Sequence, residues 1–214
     1  MPFDFPGCIF DLDGTLLDSL WVWDEVDTVF LTRRGLPVTP DYGQAIAHLG
    51  FADAARYTIG RFGLSETPEQ LMDEWYSLAR AAYRDRVQLK PYASAFLQKL
   101  YTQGVHISAA TSSEPDLILP CLERLEIRAL FENITTIHEV SGDKSSPDIY
   151  LLAAARMGVA PSRCAVFEDI LRGVQSAKSA GFYTVAGQEA ASALDQDASR
   201  QTADRYILSF SELL

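Results

Sequence analysis

Four apolar runs in this chain end directly in residues that can do chemistry, and this recurrence restricts the fold more than any other feature. The run at 8–10 leads into Asp11 and Asp13, and the run at 105–110 into Thr111 and Ser112. The run at 134–140 leads toward Lys144, and the run at 164–167 into Glu168 and Asp169. Each of the last three is separated from the next by a stretch with helical periodicity, so the chain reads as strands alternating with helices. Such alternation implies an α/β fold with a doubly wound, Rossmann-like parallel sheet and right-handed crossovers. Parallel strands would bring all four polar groups to one sheet edge, where open sheets of this kind bind ligands.

The helices of this part are expected at 92–103, closing at Gly104, and from 114 or 115 to 125, with Pro120 kinking the helix or delaying its start. Two more are expected at 148–157 and 170–180, closed by Gly158 and Gly181. A strand follows at 183–186, a surface helix with a loop within 188–204, and a last edge strand at 206–210.

Residues 16–87 interrupt the alternation. They hold no convincing strand but four helical patterns, at 20–33, 40–48, 52–62 and 68–84, punctuated by Gly35, Pro37, Gly50, Gly63 and Pro68. The expected organisation is a core domain of residues 1–15 and 88–214 with a helical cap domain, 16–87, inserted after the first strand. All three tryptophans, Trp21, Trp23 and Trp75, fall in the insertion, where a role in packing is expected of them.

With 214 residues, 48% of them hydrophobic, the chain can bury a full core. Its formal charge of −11 and the lack of any basic run argue against nucleic-acid and anionic-membrane partners. Cys8, Cys121 and Cys164 lack metal-site spacing and read as reduced core residues. No leader-like or membrane-length apolar stretch is present, so a soluble, cytoplasmic protein is expected, as a monomer or weak dimer.

Two carboxylates two residues apart at a strand end repel each other unless something offsets them. A divalent cation held by oxygen ligands would do so, as would a division of labour between an ionised and a protonated carboxylate. An Asp-Gly capping turn is the alternative. The longer string Asp11-Leu12-Asp13-Gly14-Thr15-Leu16-Leu17-Asp18-Ser19 resembles the first motif of the haloacid dehalogenase-like superfamily, and the other three strand ends resemble its remaining motifs in order. The helical insertion looks like the type 1 cap of its beta-phosphoglucomutase-like members.

This resemblance implies that Asp11 is the nucleophile and Asp13 the general acid/base. Thr111 would grip the phosphate with Ser112 beside it, and Lys144 would orient the nucleophile and neutralise the phosphoryl group. The implied Mg²⁺ set is Asp11, Asp13, Glu168 and Asp169. Each assignment has a plainer counterpart: Lys144 as a solvated loop lysine, and Thr111, Ser112, Glu168 and Asp169 as helix caps. Asp18 and Ser19 are expected to cap the first inserted helix. His48, His106 and His138 are read as non-catalytic, with His48 a candidate for meeting substrate from the cap.

Two departures from the family pattern stand out: Ile170 where Ser is common after the Glu-Asp pair, and Ser145-Ser146 where the family often has Pro after the lysine. Asp13 argues against a dehalogenase, since a departing halide needs no proton. The lack of any lysine between Leu16 and Val87 argues against the family's phosphonate hydrolases, which use a cap lysine. The favoured reading is a Mg²⁺-dependent phosphatase acting on a small phosphorylated metabolite, with sugar phosphates among the candidates, through an aspartyl-phosphate. A hexose-phosphate phosphomutase, with Arg56 and Arg61 as holders of a second phosphate, remains open. So does a non-catalytic binding protein.

Overall fold

The computed structural model describes residues 4–46, 49–190 and 195–214; His48 lies outside them. The chain divides into two compact units, Met1–Ser19 with Val87–Leu214, and Leu20–Arg86. The first strand, β1 (Gly7–Phe10), is fully buried. It gives way to a tight turn in which the amides of Thr15, Leu16 and Leu17 all converge on the Leu12 carbonyl. Gly14, at φ 81°, occupies the left-handed position this turn requires. The chain then forms β2 (Leu17–Asp18), which pairs antiparallel with β3 (Gln88–Leu89). Because this short ladder joins the two crossings between units, the division falls beyond it at Ser19 and before it at Val87. Two-residue strands carry no readable periodicity, and none is expected from the sequence at either place.

The Leu20–Arg86 unit comprises α1 (Trp21–Arg33), α2 (Pro40–Ile46), α3 (Phe51–Phe62) and α4 (Pro68–Asp85). Helix α4 starts with Pro68 in its first turn and a capping box in which Thr67 Oγ1 accepts from the Gln70 amide while Gln70 Oε1 accepts from the Thr67 amide. Its apolar stripe of Leu71, Trp75, Ala79 and Ala82 is buried, and Trp75 meets Phe30 and Phe51 edge-on. At the turn after α1, Arg34 lies over the Phe30 ring, 3.8 Å from its centroid, and its guanidinium bridges Glu66 and Glu74 at 3.0 and 2.6 Å.

From β3 onward helices and strands alternate: α5 (Ala93–Thr102), β4 (His106–Thr111), α6 (Pro115–Arg124), β5 (Asn133–Thr136), α7 (Asp148–Met157), β6 (Cys164–Glu168), α8 (Leu171–Ser179), β7 (Tyr183–Gly187), α9 (Gln196–Thr202) and β8 (Arg205–Ile207). The six long strands form one parallel sheet in the order β5-β4-β1-β6-β7-β8, with β1 at the point where chain order reverses. This is the α/β, doubly wound arrangement implied by the alternation.

Side chains alternate across β1, so its two faces build two cores. Phe10 packs with Phe96 of α5, with Phe167, and with Phe210 from the C-terminal turn. Ile9 joins Ile149, Tyr150 and Ala153 of α7 and Ala177 of α8 on the opposite face. At about 1.5–3 kcal/mol per buried large apolar side chain, these clusters dominate the stabilisation of the sheet.

Three further elements differ from expectation. Strand β5 ends at Thr136 rather than 140, because Thr136 and Glu139 form a capping box and wind residues Ile137–Glu139 into a 3-10 turn. The last strand ends at Ile207, and Phe210 begins another 3-10 turn. Helix α6 starts at Pro115 and carries Pro120 inside it, so the proline removes one internal hydrogen bond without delaying the start.

Candidate active site

Strand β1 delivers Asp11 to the carboxyl edge of the sheet, where the Asp11 amide still donates to the Phe167 carbonyl and continues the ladder. Strand β6 delivers Glu168 and Asp169 beside it. The three carboxylates are buried and can place one oxygen each within 4.8 Å of one another. Lys144 arrives from the loop between β5 and α7. Only 3% exposed, it donates from Nζ to Asp11 Oδ1 and to Glu168 Oε1, the latter at 2.6 Å. Its backbone is anchored too, since Ser176 Oγ of α8 donates to the Lys144 carbonyl at 2.6 Å. Thr15 Oγ1 lies 3.3 Å from Asp11 Oδ2 and 3.2 Å from Asp169 Oδ1, tying the first turn to the end of β6.

The charge of this cluster is not balanced: three buried carboxylates face one ammonium. Burial disfavours the Lys144 charge, but Asp11 and Glu168 outweigh it and hold its pKa above the ordinary lysine value. Burial pushes Asp11 well above the usual carboxylate range, with Glu168 and Asp169 adding to the push and Lys144 opposing it. Asp169 is pushed up to about 7, first by burial and then by Glu168. Glu168 Oε1 accepts from Lys144 and, at 2.6 Å, from the Tyr150 hydroxyl, yet Glu168 Oε2 is buried with no hydrogen-bond partner. An orphaned carboxylate oxygen within an over-anionic, oxygen-only cluster fits a hard divalent cation. Asp11, Glu168 and Asp169 are the residues that would hold it.

Asp13 stands apart from that set. Its carboxylate is clamped by two hydroxyls, with Ser19 donating to Oδ1 at 2.6 Å and Ser113 to Oδ2 at 2.5 Å. Of the four carboxylates expected from sequence to hold the metal, the three of Asp11, Glu168 and Asp169 form the close cluster, and each Asp13 oxygen accepts from a serine instead. Ser19 correspondingly does not cap α1, whose N-cap is Leu20 with no side-chain bond.

Thr111 is fully buried at the end of β4, and its Oγ1 accepts from the Ser113 amide at 3.0 Å, leaving the hydroxyl hydrogen to donate elsewhere. Ser112 is exposed beside it. Neither caps α6, and neither Glu168 nor Asp169 caps α8, whose N-caps are Glu114 and Ile170 without side-chain bonds. His106 and His138 sit at the surface against Glu132 and Glu114.

Sequence reasoning left out Thr15, Ser113, Tyr150, Ser176 and Gly173. Gly173 makes room for the cluster: a Cβ there would lie 2.7 Å from Glu168 Cδ and 2.8 Å from the Tyr150 hydroxyl. Of these, Ser113 alone carries a signal, as the third hydroxyl residue of the loop after β4.

A parallel sheet whose central strand ends in a buried carboxylate, paired to a buried lysine and flanked by two further acids, defines a hydrolase class that works on anionic esters. The chain belongs to the haloacid dehalogenase-like hydrolases, whose family model matches residues 5–181. It is an enzyme of phosphatase type. A probable pseudouridine-5'-phosphatase of Drosophila melanogaster is 32% identical over 184 residues, covering 83% of this chain and 79% of that protein. The fructose-1-phosphate phosphatase YqaB of Escherichia coli is 29% identical, covering 85% and 95%. A putative beta-phosphoglucomutase from Thermotoga maritima shares the fold with a TM-score of 0.81 at 23% identity, over 94% and 93% of the two chains. A family hydrolase from Deinococcus radiodurans, crystallised with bound phosphate and sodium, has a TM-score of 0.74 at 27% identity over 98% and 93%. No helix among the described residues is long and apolar enough to cross a membrane.

Proposed function

We propose that the protein is a Mg²⁺-dependent phosphomonoester hydrolase that acts on a small phosphorylated metabolite through an aspartyl-phosphate on Asp11. The observation that carries this reading is the buried Lys144–Asp11 ion pair beside the orphaned Glu168 oxygen. A phosphate dianion repels a carboxylate nucleophile, and catalysis must remove that repulsion. Lys144 does so on one side: its ammonium aims Asp11 and opposes the burial that favours the neutral carboxyl. When bound by Asp11, Glu168 and Asp169, Mg²⁺ supplies the remaining positive charge and polarises the phosphoryl oxygens.

Asp11 attacks phosphorus as the bond to the leaving oxygen breaks. Asp13, held by Ser19 and Ser113, gives its proton to the departing alkoxide. In the second half, water attacks the aspartyl-phosphate, Asp13 takes back a proton, and inorganic phosphate leaves with Asp11 restored. The Thr111 hydroxyl and the Ser112 amide hold the phosphoryl oxygens. The helical Leu20–Arg86 unit is, in this reading, the cap that selects the leaving group.

A phosphomutase would need cationic groups for a second phosphate. Arg56 and Arg61, the candidates for that role, bond instead to Asp53 and Asp41 at 2.5 and 2.6 Å. The deciding experiment is hydrolysis of p-nitrophenyl phosphate with Mg²⁺. Turnover abolished by EDTA and by Asp11→Asn is expected, and turnover that survives Asp11→Asn refutes the nucleophile.

A further inference from the structure

The helical unit carries a cleft of about 490 Å³, open on one side, of a size that suits a small organic ligand. All four of its helices contribute to the wall: Trp23, Asp24 and Asp27 from α1, Gln44 from α2, Phe51 from α3 and Trp75 from α4. Trp23 and Phe51 meet edge-to-face at 5.5 Å, and Phe51 and Trp75 at 5.4 Å, so three rings form an aromatic corner. Trp75 is only 3% exposed, and its indole N–H is buried without a partner. A buried donor left unpaired costs about 1–3 kcal/mol, which a ligand acceptor could recover.

The described charged residues of the wall are all acidic. No lysine or arginine is among the described lining residues. Asp24 and Asp27 have no cationic partner among the described residues, although the unit is rich in arginine. Arg33, Arg34, Arg56, Arg61, Arg84 and Arg86 each pair with another carboxylate, and Arg80 lies over Tyr76. Burial, with Asp24 beside it, pushes Asp27 up to about 7. The cavity thus offers ring faces and carboxylates that no cation among the described residues pairs with. Both attract a desolvated organic cation, at about 0.5–2 kcal/mol per ring contact.

We propose that this cavity receives an organic ammonium group, primary or quaternary, held between Trp23, Phe51 and Trp75 and balanced by Asp24 and Asp27. A second phosphate is excluded by the same charge.

Trp21, Trp23 and Trp75 all lie in this unit, so intrinsic fluorescence of the full chain reports on it. Choline chloride is expected to shift the emission saturably against sodium chloride at equal ionic strength. Asp27→Asn, which preserves shape, should weaken that response by about tenfold, as should Trp23→Ala. A response to sorbitol without one to choline reassigns the cavity to polyols and overturns the proposal, as does no saturable response to choline.

Discussion

Lys144 and Glu168 meet at 2.6 Å in the interior, and the bond uses only one Glu168 oxygen; the other has no partner. This half-satisfied carboxylate divides the site into a side neutralised by the protein and a side left for a cation. The first expectation concerns that second side. Millimolar Mg²⁺ should raise the melting temperature of the wild-type chain, because a ligand at 100 times its Kd stabilises by about 2.7 kcal/mol. Asp169→Asn should erase most of that shift. A shift of the same size in the variant would place the ion elsewhere.

The division of labour between Asp11 and Asp13 is open to a leaving-group test. Asp13→Asn should lower kcat on alkyl phosphates by about 10²–10⁴, the usual scale of general acid catalysis. p-Nitrophenyl phosphate, which departs without a proton, should suffer less. Ser113→Ala should give a smaller loss of the same leaving-group pattern, since it removes one of two hydroxyls from Asp13. A uniform loss across esters would make Ser113 a phosphate-binding residue instead.

How far the site was legible follows from what each residue depends on. Asp11, Thr111, Glu168 and Asp169 were readable because they directly follow apolar strands, and a parallel sheet carries such ends to one edge. Lys144 was readable from its order in the chain, although β5 stops at Thr136 and the lysine rides a longer loop. The Thr136 to Glu139 capping signature was present in the sequence and competed successfully with the strand pattern. Tyr150 was not legible: on α7 it falls on the buried face, and only the packing of α7 against the sheet brings its hydroxyl to Glu168. The Asp13 clamp was hidden for the same reason, as Ser113 sits 100 positions away in sequence.

Gly173 converts this packing into a prediction. An alanine methyl would meet Glu168 Cδ at 2.7 Å, and neither neighbour can retreat without breaking the Tyr150–Glu168 bond. Gly173→Ala should destabilise by about 1–3 kcal/mol, as overpacked cores do, and should also weaken Mg²⁺ activation. Chemical denaturation together with a Mg²⁺ titration of activity checks both. Unchanged stability would mean that α8 shifts freely.

Tyr92, at the N-cap of α5, lies in the left-handed region at φ 66° and is 58% exposed. A non-glycine residue there bears a strain of about 1–2 kcal/mol, and the exposed ring returns little in packing. Tyr92→Gly should therefore leave stability equal or raise it by up to about 1 kcal/mol, once the greater freedom of glycine in the unfolded chain is subtracted. A loss of more than that would reveal a packing role for the ring.

Asp27 gives the helical unit a signature in pH. In the fold, burial and then Asp24 push it up to about 7, against a contribution from the Tyr42 hydroxyl that lowers it. In the unfolded chain it ionises at about 3.9. Between these values the unfolded state releases a proton that the folded state retains, so raising the pH favours unfolding. The stability linked to Asp27 is fully present below about pH 4, drains away as pH rises toward 7, and is constant above. Asp11 and Asp169 shift in the same direction, so the wild-type profile alone does not isolate Asp27. The difference between the wild type and Asp27→Asn does: the variant should gain melting temperature relative to the wild type progressively from pH 4 to 7, and hold that gain at pH 8. Parallel profiles over this range would show that Asp27 is ionised in the fold at low pH, and would remove the uncompensated carboxylate from the cavity wall.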